Sequence, residues 1–197
     1  LSGTLFASGL LQITDIASYK LPDSSIDFCL LILGASVGLA LDGFIPIVEM
    51  QFADFVSCGF NQIVNNIAKT HYRWNESLNI TIRMPYGGGM SAGPFHSQSP
   101  ESWFFHTPGL KIVAPSSAYD AKGLLNSSIE DPNPVLYFEH KYMYRSIKGL
   151  VPNDYYNIEI GKVLIGDDYP FALIKYLDDN FKEDNELKSE NAVLRIK

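Results

Sequence analysis

The chain has 197 residues, 46% of them hydrophobic and 19% charged, with a formal net charge of -7 and a pI near 5.0. That balance suits one good-sized core with extensions and excludes nucleic acid as the main partner, because no basic stripe is present to displace counterions from phosphates. Two cysteines, Cys29 and Cys58, provide neither a disulfide framework nor a cysteine-based zinc site, and point to a reducing compartment.

Residues 28–41 (FCLLILGASVGLAL) form an uncharged apolar run of about 14 residues, short of the ~20 that span a bilayer, and Asp42-Gly43 ends it. It reads as a helix buried on all sides and not as a membrane segment. Residues 44–50 (FIPIVEM) have strand length, and 51–69 follow with Phe52, Phe55, Val56, Phe60, Ile63, Val64 and Ile67 at helical spacing. The alternation recurs in a strand at 79–84 (NITIRM), a short helix at 99–106 opened by Ser99 and Pro100, and a strand at 111–114 (KIVA). A helix at 117–129, capped by Ser116 or Ser117, and a strand at 135–138 (VLYF) complete the series. Apolar strands separated by helices predict an α/β fold, doubly wound, with a mostly parallel sheet and helices on both faces. One domain is read over 1–165. The stretch 166–197, rich in Asp, Glu, Lys and Asn from 178 onward, reads as a charged tail or as the remnant or start of a second domain. With neither an initiating methionine nor a targeting segment, residue 1 is read as an internal start.

Ligands of open α/β sheets bind beyond the carboxyl ends of the strands, and the loop 85–98 directly follows one. It carries GGGMSAG and His96. Glycines let a backbone approach a ligand closely, and a histidine moves protons near neutral pH. The loop lacks the Gly-Lys-Ser/Thr ending of a phosphate-cradling loop. Gly89-Met90-Ser91-Ala92-Gly93 matches the nucleophile elbow of a serine hydrolase, with Ser91 as nucleophile, Asp120 or Asp131 as orienter and His140 as base. An elbow requires a strand running straight into the serine, whereas Met84, Pro85, Tyr86 and three glycines intervene here. His71, His106 and His140 have no partners at metal-ligand spacing and read as structural. Trp74, Trp103, Phe104 and Phe105 read as core or interface.

Residues 44–69, 80–115 and 121–144 resemble the beta subunit of the thiamine-diphosphate-dependent decarboxylating component of 2-oxo acid dehydrogenase complexes. The segments EMQFADF, HSQSPE with the following HTPGLK, and IEDPNP with a later Phe-Glu and Tyr-Arg resemble the branched-chain, 2-oxoisovalerate type more than the pyruvate type. The resemblance covers most of 34–162, and SGTLFASGLL at 2–11 is similar to a worn form of the family's glycine-rich loop. It implies a transketolase-like, pyrimidine-binding domain over 1–165, thiamine diphosphate as cofactor, and an enzyme incomplete in this chain alone. The diphosphate and Mg2+ would be held by an alpha subunit in an alpha2beta2-type assembly. Accordingly, the chain lacks the family's GDG and downstream NN signature, of which Asp42-Gly43 and Asn65-Asn66 are a false echo. A lipoyl-bearing acyltransferase would take the acyl group derived from a 2-oxo acid in branched-chain amino acid catabolism. The setting would be the bacterial cytoplasm or the mitochondrial matrix, with no membrane or nucleic-acid partner.

Position by position, the resemblance implies that Gln51 and Phe55 line the pyrimidine site and that His96 faces the substrate and handles protons during reaction and acyl transfer. The family's activating glutamate is missing. Counting back from Gly34 puts Cys29 at its place, and counting forward from Gly9 puts Asp27 there or one residue away. Asp27 is the nearby carboxylate, with a helix N-cap before Phe28 as its other reading. A potassium site is implied through backbone carbonyls at Ile80, Thr81, Ser128, Asp131 and Asn133, although IEDPNP by itself reads as a turn. Three function classes result: the 2-oxo acid dehydrogenase component, the serine hydrolase, and a non-catalytic scaffold relative that has lost the glutamate.

Overall fold

The computed structural model describes residues 10–12, 25–89 and 91–161. Among the described residues five strands form one all-parallel sheet: β1 (Leu10–Gln12), β2 (Ile45–Glu49), β3 (Thr81–Tyr86), β4 (Lys111–Val113) and β5 (Val135–His140), in the spatial order β1-β2-β3-β5-β4. The doubly wound fold is therefore as the alternation predicts. The fifth strand, β1, is not foreseen by the sequence; it pairs Leu10 with Ile45 and Gln12 with Ile47, and three residues are too few to show a period. The tail from 166 and the boundary before it lie outside the described residues.

The first helix, α1 (Ser25–Leu41), starts earlier than predicted. Asp27 therefore sits inside its first turn and not at its cap. The helix ends where Gly43 takes φ +88, with the Phe44 amide donating to the Leu39 carbonyl at 3.0 Å and the Gly43 amide to Ala40 at 3.1 Å. This is a glycine-terminated closure that satisfies carbonyls left over at a helix end. The expectation that α1 is buried all round is corrected: Ile32, Leu33 and Ser36 are buried, but Leu30, Leu31 and Leu41 are 40%, 47% and 54% exposed. An apolar sequence cannot tell which side of a helix lacks a neighbour.

The predicted helix over 51–69 is a broken one. A 3-10 turn (Ala53–Phe55) leads into α2 (Val56–Asn61), a π turn (Gln62–Asn66), a second 3-10 turn (Ile67–Lys69) and α3 (Thr70–Trp74). Polar side chains ladder along it, Asn65 Nδ2 donating to Asn61 Oδ1 at 2.8 Å and Lys69 Nζ to Asn65 Oδ1 at 2.9 Å. Asn65 and Asn66 are thus helical, as expected. Residues 100–104 form a 3-10 turn (Pro100–Phe104) that buries Phe104 against Phe60 and Phe138. Next, α4 (Ala118–Glu130) is capped by Ser117, whose hydroxyl accepts from the Asp120 amide at 3.1 Å. A last short turn, α5 (Met143–Ser146), follows β5.

Right-handed crossovers put α1 and α2 on one face of the sheet; the return from β4 to the inner position of β5 puts α4 on the other. Burial agrees. Val48, Ile82, Met84, Leu136 and Phe138 join α1 and α2 in the larger cluster, while Val113, Val135 and Tyr137 pack with Leu124 and Leu125. β5 is buried at every position except His140, as a central parallel strand should be. Across it, Arg83 ties three strands together. Its guanidinium contacts Glu49 and Glu139 at 2.8 Å each, and the two carboxylates outweigh the burial that opposes its charge, so its pKa rises.

Candidate functional site

Three adjacent strands, β2, β3 and β5, release their following loops at the same edge, and these loops are bonded to one another. The Gly87 amide donates to the Gln98 carbonyl at 2.9 Å, closing the loop 87–98 on itself. The Gln98 amide then donates to Asp54 Oδ1 at 3.0 Å, linking the loop after β3 to the turn after β2. From the end of β5, the Lys141 amide donates to the Tyr86 carbonyl at 2.9 Å, and the Lys141 ammonium donates to the His96 carbonyl. Gly87 has φ +80, and a Cβ there would run into the His140 ring, so close approach as well as conformation demands glycine.

Within this frame the rings of Phe52, Phe55 and His96 meet. His96 stands edge-on to Phe52 at 5.2 Å and to Phe55 at 5.5 Å between centroids, geometry that aromatic quadrupoles favour. All three are half-buried. His96 Nδ1 is buried with no hydrogen-bond partner, and so is Asp54 Oδ2. Buried polar atoms are ordinarily paired, so two orphans beside an aromatic wall make this cluster the candidate binding site.

Of the residues singled out from the sequence, Phe55 and His96 are brought together. Gln51 is exposed at the start of the turn that carries Phe55. Cys29 is half-buried and packs against the larger core cluster; burial pushes its thiol up, helped by nearby Cys58. A neutral thiol does not supply the charge of a carboxylate. Asp27 lies one helical turn or less before it, in a segment whose side chains are not described. Ile80, Thr81, Ser128, Asp131 and Asn133 gather at the opposite, amino edge of the sheet. There the Thr81 hydroxyl donates to the Ser128 carbonyl at 2.9 Å, the Asn133 amide donates to Asp131 Oδ1 at 2.9 Å, and Lys111 pairs with Asp131 Oδ2 at 2.5 Å.

The hydrolase triad is not assembled. Asp131 precedes β5 and His140 ends it, so the length of that strand, roughly 20 Å at the usual rise, separates them, and Asp131 is committed to Lys111. Asp120 is bonded to the Ser117 hydroxyl at 2.8 Å. Ser91 is exposed with φ 55, several residues past the end of β3.

Sequence reasoning misses Phe52, Asp54 and Lys141. Phe52 has the spacing of helical core but lies before the helix, in the turn. Lys141 reads as an ordinary charged residue after a strand, and only the loop-to-loop contact marks it.

Residues 31–146 match the family model described as transketolase, pyrimidine binding domain. The chain belongs to this family. It is 52% identical over 142 residues to the 2-oxoisovalerate dehydrogenase subunit beta of Bacillus subtilis, a match covering 70% of this chain and 43% of that protein. To a pyruvate dehydrogenase E1 component subunit beta of Staphylococcus epidermidis it is 40% identical over 171 residues, 83% of this chain and 52% of that one. The chain thus spans about half, or less, of the relatives' length. Among solved structures, a split-gene transketolase in an inactive beta4 tetramer shares the fold, with a TM-score of 0.53 and 21% identity over 69% of this chain and 41% of that one. Membership of the pyrimidine-binding family, with the triad unassembled, speaks against the serine hydrolase.

Proposed function

We propose that this chain is the pyrimidine-binding part of the thiamine-diphosphate-dependent decarboxylating component of a 2-oxo acid dehydrogenase, of the branched-chain type. The observation that carries the reading is the Phe52, Phe55 and His96 cluster with its buried, unpartnered His96 Nδ1, set between the loops of β2 and β3 in a chain of this family. The residues fit the flat, polar-edged ring of an aminopyrimidine: Phe52 and Phe55 offer apolar faces, Gln51 a polar group at the rim, and His96 and Asp54 unsatisfied polar atoms.

Thiamine diphosphate, when bound, supplies the electron sink for decarboxylating a 2-oxo acid. This chain's own contribution is orientation and proton handling. His96, edge-on to both phenyl rings, holds an imidazole where it can give or take a proton from the reacting groups. The alpha partner supplies the diphosphate and Mg2+ contacts, and a lipoyl-bearing acyltransferase accepts the acyl group. Potassium at the carbonyls of Ile80, Thr81, Ser128, Asp131 and Asn133 would brace the amino edge, without touching substrate. Among the described residues no helix is long and apolar enough to cross a membrane, and we place the enzyme in the bacterial cytoplasm or the mitochondrial matrix.

A second reading, a binding-only scaffold, is favoured by one observation: the neutral, packed Cys29 at the position that counting back assigns to the activating glutamate. The test is co-expression of the full-length protein with an alpha subunit, thiamine diphosphate titration by calorimetry, and decarboxylation of 2-oxoisovalerate against pyruvate. Binding with turnover, faster on 2-oxoisovalerate, supports the enzyme, and loss of that turnover in Asp27→Asn with cofactor binding kept would assign the carboxylate to Asp27. Binding without turnover, with activity appearing in Cys29→Glu, establishes the scaffold. No binding in either protein overturns both.

A further inference from the structure

We propose that Lys141 is the positioning residue for His96, a buried cation that fixes the imidazole-bearing turn from beneath and acts on the reaction through it. The inference rests on the proposed function for its catalytic consequence but not for its structural one.

Lys141 is only 4% exposed. Burying an ammonium costs several kcal/mol unless partners compensate, and among the described residues no carboxylate pairs with it. What it has instead are the His96 carbonyl, to which it donates, and the Phe52 ring, over which its nitrogen lies 4.2 Å from the centroid. Both partners belong to the ring cluster. Cation–π attraction is strongest when the charge is desolvated, and a charged donor to a carbonyl is among the stronger hydrogen bonds. One side chain from the end of β5 thereby ties the turn after β2 to the turn bearing His96.

The His96 turn has few other restraints. It follows Gly93 at φ +76, its 3-10 turn (Pro94–His96) buries no residue, and Phe95 is exposed to 76%. Its local bonds are a weak His96 amide to Gly93 carbonyl contact at 3.3 Å and the Ser97 hydroxyl to the same carbonyl at 2.8 Å. Lys141 therefore bonds the His96 backbone itself to the end of β5, beside the Gln98 bonds to Gly87 and Asp54 that anchor the loop two residues later. Its own position is set on the strand side by its amide's bond to Tyr86.

A positioning role and a merely structural one predict different things for Lys141→Met. Lys141→Met relieves the desolvation of an unpaired buried charge but gives up one hydrogen bond and one cation–π contact, so the opposing terms should leave the urea midpoint little changed. The bonded amides of 93–98, those of His96 and Gln98, should nonetheless exchange with deuterium at least about tenfold faster, while those of β3 and β5 stay unchanged. In the complex with the alpha partner, kcat should fall by about tenfold or more with the thiamine diphosphate affinity within about twofold, since a displaced catalytic group loses rate and not binding. Lys141→Arg, which keeps a donor and a stacking cation, should restore both exchange and kcat to within about threefold. Unchanged exchange of 93–98 in Lys141→Met overturns the inference. So does a loss of the urea midpoint with exchange accelerating throughout the sheet, and so does failure of the arginine variant to rescue. Should the unaltered complex prove inactive, the functional reading falls while the exchange experiment still decides the clamp.

Discussion

At the amino edge of the sheet the Thr81 hydroxyl reaches the Ser128 carbonyl, Asp131 holds both the Asn133 amide and Lys111, and the polar groups are engaged, Asn79 Oδ1 being the exception there. In the loops beyond the carboxyl edge of the same strands, Asp54 Oδ2, His96 Nδ1, Glu101 Oε2 and His140 Nδ1 are all buried without partners. The two edges are built from similar residue types, and what separates them is satisfaction. At the amino edge the side chains are held by one another, whereas the unpaired buried atoms beyond the carboxyl edge are what single out that edge as the candidate site for an organic ligand.

The comparison can be broken most forcefully through two glycines, one toward each edge. Gly109, just before β4, has φ +95, and a Cβ there would collide with the backbone carbonyl of Ala68. Backbone cannot step aside. Gly109→Ala should cost roughly 3 kcal/mol or more in urea unfolding. Gly87→Ala meets the His140 ring, which can turn, and should cost only about 1–2 kcal/mol while loosening the loop that carries His96. If Gly87→Ala proves the more destabilising, the amino edge is not the more tightly built one.

His96→Asn sharpens the contrast from the functional side. The His96 ring has no hydrogen bond to lose but gives up edge-on contacts with Phe52 and Phe55, so the unfolding free energy should fall by about 1 kcal/mol, while decarboxylation in the full complex drops by about a hundredfold. A drop in stability matching the drop in rate would make the residue structural. At the other edge the pattern should reverse for Thr81→Val, which keeps shape but deletes the donor to the Ser128 carbonyl. A loss of about 1–2 kcal/mol is expected, with thiamine diphosphate affinity unaffected.

Much of this architecture is legible in the order of the residues. Strands such as 79–84 and 135–138 announce themselves because both faces of a parallel sheet are covered, leaving continuous apolar runs. The segment 93–98 is marked by its glycine and by His96. Other features have no local signature. Phe52 follows the helical spacing of Phe55 and Val56 yet stands outside the helix, because Ala53–Phe55 tightens into a 3-10 turn. The exposure of Leu30 and Leu31 depends on what packs beside α1, which no residue in α1 encodes. Lys141 is 45 residues from the carbonyl it holds. Long-range partners of that kind are a property of topology and have to be seen.

Tyr86 offers the smallest and finest test, because it lies at the carboxyl end of β3, against the His140 ring. Burial, and then the charge of Glu101, raises its phenol to about 12 from an ordinary 10.0. The folded state thus keeps a proton that the unfolded chain releases first. Its contribution is fully present below about pH 10 and is lost as pH rises toward 12, a loss of at most about 1.4 kcal/mol per pH unit for one group. Tyr137 and Tyr144 are also raised, chiefly by burial, and act in the same direction. Tyr86→Phe should therefore make the decline of the urea midpoint above pH 10 shallower without abolishing it, and remove one late-titrating phenol from the tyrosinate absorbance curve. An unaltered slope would mean that the Tyr86 hydroxyl reaches water, and that the orphaned atoms beside it, Glu101 Oε2 and His140 Nδ1, are solvated instead of awaiting a ligand.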